Sequence, residues 1–111
     1  MRFRSVIRVL ALVAIAHTAS AQTEHVKRGV QVYADQKCAV CHAITGKGNT
    51  KGALDDVGSR LSAEDIRMWI VDPATMTKKT NAARKPAMRA YPNLSKDDVE
   101  SLTAYMVSLK K

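Results

Sequence analysis

The sequence predicts an all-α domain, and three observations carry that prediction. Apolar residues after position 21 recur at helical spacing, and no segment alternates as a strand would. Two segments carry the capping pattern of a helix start, Ser62-Ala63-Glu64-Asp65 and Ser95-Lys96-Asp97-Asp98. The chain has 111 residues, which suits one domain with a limited core.

Residues 1–21 read as a cleaved export signal, leaving residues 22–111 as the domain. Arg2, Arg4 and Arg8 form a positive start, Val9 to Ala16 is an unbroken apolar run, and Ala19-Ser20-Ala21 offers small residues at the cut. The apolar run is far shorter than the ~20 residues that span a bilayer. The expectation is therefore a periplasmic protein with no stable membrane insertion. The whole chain carries 18 Lys and Arg against 10 Asp and Glu; without the three signal arginines, 15 against 10 leaves a net charge of +5. That balance attracts acidic partners. The basic residues are scattered without interleaved aromatics, which argues against nucleic acid.

The first helix is expected over Glu24 to Ala34, with Val26, Val30 and Tyr33 on one face. Gly29 sits mid-helix at a cost in propensity, which suggests that another backbone passes close to it. Residues 44–58 are punctuated by Gly46, Gly48, Gly52 and Gly58 and read as loop. A short helix is expected after Ser62, with Ile66, Trp69 and Ile70 inward, and Pro73 is expected to end it. Ala74 to Asn93 shows no clear periodicity, and so long a loop in a small domain suggests function. The last helix carries Val99, Leu102, Tyr105, Met106 and Leu109 on one stripe, with Lys110 and Lys111 at its negative end.

The chemistry lies in Cys38-Ala39-Val40-Cys41-His42, the C-x-x-C-H pattern of haem c attachment. Cysteines three apart lie on one side of a helical turn, so both sulfurs reach the two vinyl groups of one haem edge. His42 then offers its imidazole to the iron. Three other readings compete. A structural zinc wants four ligands, usually as two pairs, and no second Cys/His pair exists beyond the lone His25. A thioredoxin-like dithiol expects a βαβ setting. A plain disulfide explains neither the spacing nor His42.

On these residues the chain resembles a class I c-type cytochrome, a small bacterial monohaem protein. Gly29-x-x-x-Tyr33 before the motif is similar to the family's glycine–aromatic pair, and Leu102 with Tyr105 to its last-helix pair. Leu54-x-x-Val57-Gly58-x-Arg60-Leu61-Ser62 and Trp69-Ile70-Val71-Asp72-Pro73 also resemble bacterial members, although Ala53 stands where they often have proline. The resemblance implies about three to four short helices wrapped around one covalent haem c. It implies Cys38 and Cys41 as attachment points, His42 as one axial ligand, and a methionine as the other. Met68 and Met106 fall on expected helices, where methionine usually fills core. Met88 is favoured, with Pro86 before it, Tyr91 three residues on and Leu94-Ser95 opening the last helix, although Arg89 stands where the family usually has proline. Met76 is the runner-up.

Trp69 is a candidate to hydrogen-bond a haem propionate, against an ordinary core role, and Arg60 a candidate to pair with one, against a solvated role. Lys37, Lys47, Lys51, Arg84, Lys85 and Arg89 flank the expected haem site as a positive rim. The function expected is one-electron transfer rather than catalysis, by a soluble periplasmic carrier with acidic redox partners. The alternative is the monohaem subunit of a larger periplasmic oxidoreductase, for example of sulfur-compound oxidation. A third reading is an open haem acting on peroxide or binding a gas.

Overall fold

Asp35 ends the first helix, α1, which covers residues 20–35. The computed structural model describes residues 20–111, so the expected export signal lies outside the described residues except for Ser20 and Ala21. A left-handed Lys37 (φ 56°) then turns the chain into a 3-10 turn over Cys38–Val40. Next come two-residue strands, β1 (Ala43–Ile44) and β2 (Lys47–Gly48), paired antiparallel with Ala43 opposite Gly48. This small ladder departs from the expectation of a chain without strands; two residues are too few to show alternation. A second 3-10 turn spans Thr50–Gly52. Four helices complete the chain: α2 (Val57–Arg60), α3 (Ala63–Val71), α4 (Pro73–Thr80) and α5 (Lys96–Ser108).

The two expected caps form. The Ser62 hydroxyl accepts from the Asp65 N–H, and the Ser95 hydroxyl from the Asp98 N–H, each at 3.1 Å. Each satisfies one of the free N–H groups at a helix start.

Two expectations need correction. Pro73 does close α3, but it also begins α4, so the expected loop from Ala74 is helical as far as Thr80. Asp72 makes this possible: its carboxylate accepts from the Thr75 N–H at 3.3 Å and from the Thr75 hydroxyl at 2.7 Å. Proline at the first helical position lacks only an N–H that would have no helical partner. With α4 and the single turn of α2, the described residues hold five helices, in keeping with the expected all-α domain. The inward face of α1 is also rotated from expectation. Val32 is buried, as is Gly29, whereas Val30 is 46% exposed.

The core joins Val32, Val57, Ile66, Ile70, Leu102 and Met106, with Tyr33 and Tyr105 packed at its margin in an edge-to-face pair 5.9 Å apart. Gly29 sets the crossing of α1 over α5. A Cβ there would strike the Ser101 carbonyl oxygen and come within 2.6 Å of the Tyr105 Cβ. The close backbone approach that its cost suggested is therefore present. Arg28 binds both oxygens of Asp98 beside the crossing, at 2.8 and 2.9 Å. Among the described residues, no helix is long and apolar enough to cross a membrane.

Candidate functional site

The turn after α1 brings Cys38, Cys41 and His42 onto one short loop. Cys41 and His42 both donate backbone N–H groups to the Cys38 carbonyl, at 3.1 and 2.9 Å. The loop then doubles back. The Asn49 N–H meets the carbonyls of Ala39 and His42 at 3.1 and 2.9 Å, and the Asn49 side chain donates to the Val40 carbonyl at 3.3 Å. Gly48 permits this return. Its φ is 109°, and a Cβ would collide with the His42 carbonyl and approach the Ala39 carbonyl to 2.9 Å.

The His42 ring is fixed through Nδ1, which lies 2.9 Å from the Gly52 carbonyl oxygen. A carbonyl can only accept, so Nδ1 carries the proton and the Nε2 lone pair is left free for a metal. Burial lowers the imidazole's pKa from its ordinary value; the Gly52 contact opposes this and the Arg84 charge reinforces it. Burial therefore favours the neutral ring that a metal ligand requires. Neither cysteine is in a disulfide. Burial pushes the Cys38 thiol up to about 11, so it stays protonated at neutral pH. Among the described residues, no group of three or more His, Cys, Asp or Glu is placed to hold a metal ion. Two free thiols and an imidazole with Nε2 available fit a haem attached through its edge.

The methionines divide by element. Met76 is buried within α4 at 3% exposure, and Met106 within α5 at 6%. Met68 is half-buried on α3. Met88 is half-buried in the irregular strap between α4 and α5, whose other residues from 82 to 90 are exposed. Tyr91, also half-buried, lies under the Arg89 guanidinium at 5.6 Å.

Trp69 is half-buried on α3. Arg60 is exposed on α2, with its Nε donating to Asp56 at 2.9 Å. His25 is exposed on α1, its Nδ1 3.1 Å from the Ser101 hydroxyl of α5. All six residues of the expected rim are exposed, and Lys51, Arg84 and Lys85 line one cleft with Val40 and Cys41. Sequence reasoning missed the roles of Gly52 and Asn49, which lie in a stretch read only as loop; their signal was the Gly48-Asn49-Thr50-Lys51-Gly52 spacing. It also missed the Tyr33 hydroxyl, buried without a hydrogen-bond partner, with a pKa raised to about 12 chiefly by that burial.

The family described as cytochrome c matches residues 26–110. A cytochrome c oxidase subunit 2 of Alkalihalophilus pseudofirmus is 36% identical over 92 residues, covering 75% of this chain. The chain spans only 25% of that relative's length. No solved structure matches.

Proposed function

Because the chain belongs to the cytochrome c family and carries one covalent haem c, we propose that it is a diffusible periplasmic one-electron carrier. Haem c supplies the one-electron couple of its iron, and the residues of this chain hold and present it. Cys38 and Cys41 would anchor the group, and His42, through its free Nε2, and Met88, through its thioether, would ligate the iron. The observation that carries this reading is the His42 imidazole, fixed by Gly52 on the same short loop as two free thiols. A ligand held in place before the electron arrives lowers the rearrangement that each transfer requires. The exposed cations around the Cys41 cleft favour encounter with an acidic partner surface, raising the on-rate more than the affinity. Residues 1–21 act as the export signal that delivers the chain to the periplasm.

The oxidase-subunit relative favours a second reading, in which the chain serves as the cytochrome part of a larger oxidoreductase. The two separate by native size. Haem absorbance in a periplasmic extract, followed on a sizing column, is expected to elute as a single small domain. Elution in a larger, reproducible complex replaces the carrier with the subunit.

A further inference from the structure

We propose that Arg84 is a positioning residue, clamping the strap that bears Met88 onto the loop that bears His42. The inference rests on the reading of Met88 as an axial ligand. Arg84 lies four residues before Met88, and its Nη2 donates to the Cys41 carbonyl, 43 residues away in sequence. Its guanidinium occupies space that exists because residue 52 is glycine: a Cβ there would strike Arg84 Nη1 and the Cys41 carbonyl oxygen. The carbonyl of that same Gly52 accepts the hydrogen bond from His42 Nδ1. One planar cation therefore touches the residues on which the His42 ring depends, while hanging from the strap.

The strap has little else to hold it. The Ala82 N–H bonds back to Thr77 in α4, and the Leu94 N–H bonds to Tyr91 just before α5. Between these ends, among the described residues, the Arg84 bond to Cys41 is the hydrogen bond that ties the strap to another part of the chain. A hydrogen bond from a cation is roughly twice as strong as a neutral one, so its loss frees the strap measurably.

The test uses haem-loaded protein and reads ligand exchange rather than electron transfer. Met88→Ala is expected to lose the far-red absorbance of methionine-bound ferric haem; retention of that band overturns the ligand reading itself. With that reading secured, Arg84→Ala is expected to keep the band yet let imidazole displace the methionine about tenfold faster. Lys79→Ala, which removes an equal charge from α4, is expected to leave the rate unchanged. Arg84→Lys recovers part of the loss, because an ammonium can still donate to the Cys41 carbonyl. Wild-type displacement rates in Arg84→Ala, or equal acceleration in Lys79→Ala, overturn the clamp. If Arg84→Ala does not accumulate with haem, Arg84→Gln carries the test, with acceleration supporting the clamp and wild-type rates overturning it.

Discussion

Between Cys38 and Gly52 the chain is held at almost every step, whereas between Ala83 and Ala90 it is held at one. The attachment loop closes on itself through the carbonyls of Cys38, Ala39, Val40 and His42, with Asn49 bonding to three of them. Thr45, Gly46 and Gly48 take positive φ to make that closure possible. The strap instead runs exposed from the end of α4 to the start of α5, fixed mainly by the helices at its ends and by Arg84. Both regions present one candidate axial ligand. The loop specifies its ligand locally, within about a dozen residues, as a turn specifies its shape. The strap places its candidate, Met88, by length and by what it is laid across, so its register depends on distant contacts.

Three experiments sharpen or break this contrast. The largest effect is expected at Gly48→Ala, where a Cβ meets two carbonyls and φ is 109°. A loss of about 2–3 kcal/mol in denaturant unfolding of the haem-loaded protein is expected. A loss below about 0.5 kcal/mol would show the loop to be as pliant as the strap. Insertion of one glycine after Ala87, between Arg84 and Met88, comes next. It lengthens a flexible connection, so the stability loss stays below about 1 kcal/mol. The far-red methionine band, by contrast, is expected to fall, because the ligand's register shifts; an unchanged band breaks the claim that length sets it.

The smallest effect belongs to the helical frame that carries both regions. Arg28 holds the Asp98 carboxyl below its ordinary value, first through their hydrogen bonds and then, against a small cost of burial, through charge. A carboxyl depressed in the folded state is protonated more readily in the unfolded chain. Its contribution is therefore present above the unfolded pKa of about 4 and is lost as pH falls through the folded value. Asp98→Asn is expected to unfold slightly more easily than wild type at pH 7, with the gap closing in acid. A gap that persists unchanged in acid would assign the effect to the helix start rather than to the ion pair.

Legibility in the sequence divides along the same line between local and distant contacts. Ser62 and Ser95 are readable because a cap is a contact between near neighbours. Gly29 is readable because its cost within a helix demands a reason, and the α1–α5 crossing supplies one. The loop residues Cys38, Cys41 and His42 announce themselves by spacing alone. Helix α4 is hidden because Pro73 reads as a stop unless Asp72 is recognised as a cap for a second helix. Val30 and Val32 are easily exchanged because periodicity on α1 is broad, and packing on α5 selects the face. The Arg84–Cys41 contact leaves no local trace, since its partners are 43 residues apart and one is a backbone oxygen.

The crossing of α1 on α5 also constrains the order of events during synthesis. Val32 shares its core with Leu102 and Met106, and Arg28 finds Asp98 across 70 residues. No nascent chain ending before α5 can bury α1, so the fold has nothing to close upon until its last helix has been made. Until then Cys38, Cys41 and His42 lie in an open chain. In that state the two thiols and the imidazole are open from every side.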